Sequence, residues 1–182
     1  MIVGNGGNKD IQGKYNAITT LGESTRAIHD GTEFTITAEG SIPASGSVKF
    51  LGVTGTNQVH FDEFVGDFAQ GDIRISLYES PTVTDNGTLT PGICDNHEKN
   101  TTAEMLVYAG PTTSANGTLK SKRFLPLTGG GANVSPRNGG IAKGKVLKRN
   151  TTYLFLIENL DTNTAVSYGA EFSWHESDII LD

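Results

Sequence analysis

Two neighbouring runs decide how this chain folds: Tyr153-Leu154-Phe155-Leu156-Ile157, and, after the polar turn Glu158 to Thr164, Val166-Ser167-Tyr168-Gly169-Ala170-Glu171-Phe172-Ser173-Trp174. In the second run every other residue is apolar. A period of two is the signature of a pleated strand with one buried and one wet face. Val166, Tyr168, Ala170, Phe172 and Trp174 therefore point one way, and Ser167, Gly169, Glu171 and Ser173 the other. The first run is apolar on both faces, as in a central strand covered on both sides. Side by side, the two runs read as an antiparallel hairpin whose aromatic face supplies much of the core.

Working outward, the same signals recur upstream. Phe34 to Ala38, Val48 to Val53, Val59 to Phe64, Ile73 to Tyr78, Met105 to Tyr108, Phe124 to Leu127 and Lys145 to Leu147 read as short strands separated by Gly, Pro and Asn. Val59, Phe61 and Phe64 are expected to face inward. No helical period stands out. About eight short strands between turn signals predict an all-β, jelly-roll-like antiparallel β-sandwich. The 23 glycines and abundant Thr, Ser and Asn fit turn-rich β structure. At 182 residues the chain has room for one core. We place the sandwich over residues 26–182.

Residues 1–25 differ. Ile2, Val3, Ile11, Tyr15, Ile18 and Leu21 are scattered among Gly and Asn with neither period, too sparse to offset the entropy of ordering alone. Such a segment is either a loose tail or an arm that orders against another chain; its apolar side chains, which a free tail does not need, favour an extended arm.

One motif repeats. Tyr78-Glu79-Ser80-Pro81-Thr82-Val83-Thr84-Asp85-Asn86-Gly87-Thr88-Leu89 recurs as Tyr108-Ala109-Gly110-Pro111-Thr112-Thr113-Ser114-Ala115-Asn116-Gly117-Thr118-Leu119. In each copy a strand ends near Tyr, Pro removes a ladder donor, and Asn-Gly supplies positive φ for a tight turn. The copies read as two similar loops on neighbouring strands at one end of the sandwich.

Charge narrows the partners. The formal net charge of −6 disfavours indiscriminate nucleic-acid binding. Yet Met105 to Ile157 lacks any Asp or Glu while holding Lys120, Lys122, Arg123, Arg137, Lys143, Lys145, Lys148 and Arg149. Such a basic stretch suits docking on an acidic partner or on a second copy, and Lys143, Lys145, Lys148 and Arg149 are its candidate contacts. A single cysteine, Cys94, rules out an internal disulfide. The N-terminus shows no signal-peptide core and no run is long enough to span a bilayer, so assembly in a cytoplasm, away from membranes, is expected.

Chemistry-bearing motifs are scarce. His60 and Asp62 lie two apart on one strand face, as a metal pair would, but no third ligand follows at a familiar spacing; they read as a surface pair. Asp95, His97 and Glu98 beside Cys94 read as a solvated loop. Gly129 to Gly131 lacks the Lys and helix of a phosphate cradle, and no nucleophile elbow or dinucleotide fingerprint occurs. Asn86, Asn100, Asn116, Asn133 and Asn150 read as turn residues. No catalytic residue, cofactor or metal is expected, and the chain reads as a non-enzyme.

Four short motifs stand out together: Ile28-His29-Asp30-Gly31-Thr32-Glu33-Phe34, of the form Ile-His-acid-Gly-x-x-Phe; the Tyr78 and Pro81 loop; Asn150-Thr151-Thr152-Tyr153-Leu154; and the closing Phe172-Ser173-Trp174-His175-Glu176. They resemble those of capsid decoration, or cement, proteins of tailed bacteriophages, in which a second aromatic is usual where His175 stands. The likeness runs from about Ala27 to Glu176 and omits the arm. It implies a structural protein on the outer surface of the virion head, bound to the major capsid protein and to itself as a dimer or trimer. The alternative is a carbohydrate- or receptor-binding module of a tail fibre, since sandwiches of this kind also serve as lectins.

Overall fold

The computed structural model describes residues 23–68, 71–126, 137–141 and 144–177. The arm residues Ile2, Val3, Ile11, Tyr15, Ile18 and Leu21, the Gly129 to Gly131 loop and Lys143 lie outside them.

The chain is an all-β sandwich. Among the described residues one helix, α1 (Glu23–Asp30), precedes the strands, against the expectation of none; it takes up the last residues assigned to the arm. It ends on a Schellman motif: Thr32 N donates to Ala27 O at 2.9 Å and Gly31 N to Ile28 O at 3.0 Å. That closure needs a left-handed residue, and Gly31 has φ 73°.

The principal strands are β1 (Glu33–Ile42), β2 (Ser47–Val53), β3 (Gln58–Phe68) and β4 (Ile73–Glu79). An excursion follows through β5 (Thr82–Asp85), β6 (Thr88–Thr90), β7 (Ile93–Cys94), β8 (Leu106–Ala109) and β9 (Thr112–Ala115). The chain returns with β10 (Thr118–Leu125), β11 (Arg137–Ile141), β12 (Lys145–Leu147), β13 (Thr152–Asn159) and β14 (Val166–Ser177). The first sheet runs β11-β3-β14-β1-β7, with β12 also on β3; the second runs β10-β4-β13-β2-β8-β6. The strands read from the sequence are present, but β5, β6, β7, β9, β11 and most of β10 were not foreseen. They are short or polar and lack a period of their own.

The expected terminal hairpin does not form. β13 pairs with β2 and β4, whereas β14 pairs with β1 and β3. The turn between them is an arch from one sheet to the other, and their apolar faces meet across the core. Phe155 and Phe172 stand edge to face at 5.1 Å, and Phe34 lies 5.8 Å from Trp174. Trp174, Phe172, Phe155, Phe61 and Phe64 are fully buried, with Val59 beside them; Tyr168 is only half-buried.

The repeat folds differently from expectation as well. β4 and β8 are not neighbours, since β13 and β2 separate them. The two copies instead clasp one another: β4 pairs with β10, β6 with β8, and β5 with β9. Lys49 Nζ on β2 donates to Thr113 Oγ1 on β9 at 2.9 Å, which ties the β5–β9 ribbon to the outer face of the second sheet. Leu51 and Leu154 on that face are fully buried. This cover explains why β13 is apolar on both sides.

Candidate functional site

Among the described residues, the outer face of the first sheet carries a close-set group of ionisable side chains. Register puts Glu33 on β1 opposite His175 on β14, and His175 opposite His60 on β3. Three strands remote in sequence thus deliver one row. A bulge then brings in Asp62: Ser173 pairs with Glu63 and Trp174 with Phe61, leaving Asp62 as the extra residue of β3. An extra residue of this kind bends its strand and re-aims its side chain.

His175 Nδ1 lies 3.0 Å from Asp62 Oδ2 and 3.9 Å from Glu33 Oε2. The His60 ring stacks on that of His175, with centroids 4.6 Å apart and planes 11° from parallel. The side chains of Glu33 and His175 are 6% and 8% exposed, while that of Asp62 is 31% exposed. Helix α1 packs across β1 and β14. Of the pair noted in the sequence, Asp62 enters this cluster directly and His60 supports it by stacking. Glu33 and His175 were missed, because nothing in local spacing signals which strands will be adjacent.

Glu176, next along β14, faces the interior and accepts hydrogen bonds from Met105 N at 2.8 Å, Glu104 N at 2.9 Å and Trp174 Nε1 at 3.1 Å. It anchors the start of β8 to the end of β14. Cys94 is buried, and its thiol lies 3.6 Å from Gly31 O and 3.4 Å from Asn96 O. Its surroundings are structural.

Further along the same outer face, Thr37, Ala38, Glu39, Asp67, Gly169, Ala170 and Glu171 line an open depression of about 630 Å³. Glu39 and Asp67 flank Gly169 in one row. Among the described residues that line it there is no aromatic ring.

The basic residues singled out in the sequence gather in part. Lys148 Nζ lies 2.7 Å and Lys120 Nζ 3.3 Å from Glu79 Oε1, and Lys145, Lys120, Glu79, Val146 and Tyr153 line one recess. The Lys148 hydrogen bond, with Lys120 adding to it, holds the Glu79 carboxyl below its ordinary range, and Glu79 in turn raises the Lys148 ammonium. Burial pushes the Tyr153 phenol up. Arg149 is half-buried in the turn before β13. Val146 and, on β10, Phe124 are both 52% exposed.

No protein-family model, curated protein or solved structure matches the chain. Among the described residues, no helix is long and apolar enough to cross a membrane. Fold and site together define an all-β sandwich with a half-closed histidine–carboxylate cluster on one outer face.

Proposed function

We propose that this protein binds the outer surface of a phage head and cements the shell by bridging capsomers. The sandwich then acts as a jelly-roll-like body, and residues before α1, with Lys145 and Lys148, supply contacts to the major capsid protein or a sister subunit. Such a protein stabilises the shell because its binding free energy adds to the cost of breaking it. Oligomerisation multiplies attachment without strengthening any single contact.

One observation supports this reading above the rest: each short motif behind the resemblance occupies a place where the fold is locked. Ile28 to Phe34 forms the helix stop and the start of β1. Asn150, at φ 48°, turns the chain into β13 while Thr151 N donates to Thr54 Oγ1 at 2.9 Å. Pro81, buried, immediately precedes the ribbon strand β5. Phe172 to Glu176 fills the core and anchors β8. Motifs at such positions fit a body plan of the kind the resemblance implies.

The test is to mix purified protein with undecorated heads, sediment the heads, and image their surface. Co-sedimentation with regular density on the outer face is the expected result. Absence from the heads, together with specific capture on a glycan array, would sink this reading and favour the carbohydrate-binding alternative. That alternative gains little from the outer depression, whose described lining residues offer carboxylates but no ring for a sugar to stack on.

A further inference from the structure

We propose that Glu33, Asp62 and His175 form a binding site for one divalent transition-metal ion of the zinc class. The argument begins with spacing. Each residue offers one donor atom, and all three atoms lie within 4.8 Å of one another. Donors around a four-coordinate zinc, with bonds of about 2.0–2.1 Å, stand about 3.3 Å apart. The 3.0 Å and 3.9 Å separations from His175 Nδ1 straddle that distance. Rotation of the Glu33 side chain to bring its oxygen nearer His175 Nδ1 would centre an ion.

The three donors also sit where an ion would be largely shielded from water, since the side chains of Glu33 and His175 are 6% and 8% exposed. The donor set selects the ion: two carboxylate oxygens and one imidazole nitrogen, without thiolate, suit zinc or manganese, whereas calcium and magnesium prefer all-oxygen shells. The scaffold is suitably rigid, since β1 and β14 hold two ligands in register and the β3 bulge aims the third. His60, stacked on the His175 ring, fixes the imidazole plane. The exposed side of Asp62 leaves one position open to solvent.

The plain competitor is a protonated His175 ion-paired with both carboxylates and holding no metal. Titration of chelator-treated, full-length protein with zinc chloride at neutral pH separates the two. The expected result is saturation at one zinc per chain, a raised Tm, and proton release, because the ligands must be deprotonated. Asp62→Ala should weaken binding about tenfold or more, with the zinc-induced rise in Tm measured against the variant's own metal-free Tm. Asp67→Ala in the neighbouring depression should change nothing. X-ray absorption of the wild-type zinc complex should show only nitrogen and oxygen neighbours including one imidazole, a readout that stands even if a variant fails to fold.

Any of four results overturns the proposal: no saturable zinc binding at millimolar metal, undiminished binding in both Asp62→Ala and His175→Gln, loss of binding in Asp67→Ala, or calcium bound in preference to zinc. None of these outcomes bears on head attachment, which is measured separately.

Discussion

Leu51 and Leu154 face one another across β2 and β13 at the centre of a row that reads the same from either end: Leu119, Tyr78, Leu154, Leu51, Tyr108, Leu89. The outer pairs come from the two copies of the sequence repeat, so the repeat has become an internal twofold. Its equivalence extends to exposure, with Leu89 at 48% and Leu119 at 49%. It extends to backbone too, with Gly87 at φ 85° and Gly117 at φ 87°.

This symmetry yields a paired prediction. A Cβ on Gly87 would lie 2.3 Å from Ala109 O, and one on Gly117 would lie 2.3 Å from Glu79 O. Neither carbonyl can retreat, because each belongs to a paired strand. Gly87→Ala and Gly117→Ala should therefore each destabilise by about 1–3 kcal/mol, and by similar amounts. Chemical denaturation of both variants checks it; one tolerant site would break the equivalence.

Trp174→Ala should cost about 3–5 kcal/mol, as large buried aromatic truncations do. It empties the contact with Phe34 and removes a donor from Glu176. Equilibrium unfolding in urea measures the loss, and near-wild-type stability would contradict the packing described.

Acid sensitivity should trace in part to Glu79. Its folded-state pKa lies below the ordinary value of 4.5. A depressed carboxylate contributes stability above the unfolded pKa, and that contribution disappears as pH falls through the folded value. Glu79→Gln should thus lower Tm at pH 7, with the wild-type and variant curves drawing together as pH falls from about 4.5 through the lower folded-state value. Added salt should narrow the gap at neutral pH, since Lys120 and Lys148 reach Glu79 from solvent.

Deleting residues 1–22 should leave melting nearly unchanged but strongly weaken head attachment, since the cut stops short of α1. An arm laid on a neighbour buries its apolar side chains at about 25 cal/mol per Å². Sedimentation of heads with truncated protein is the measurement; full attachment would shift the grip to Lys145, Lys148 and their exposed neighbours Val146 and Phe124.

Local pattern in the sequence was enough to determine that β13 and β14 are strands, which face of β14 is buried, and that Gly87 and Gly117 sit in turns of positive φ. Each of these is set within a few residues, by pleat period or by backbone sterics. Partnership was another matter. A period of two says which way a side chain points but not what lies beside it, so a short turn after Asn159 was compatible with a hairpin or with an arch between sheets. Burial of aromatics on both inner faces made it an arch. The same limit hid the site. His60 and Asp62 were visible as a pair because they are two residues apart, but Glu33 and His175 join them only through the register of β1 on β14 and β14 on β3. That register, and the bulge that turns Asp62 toward the imidazole, follow from packing the whole core, which only the tertiary structure decides.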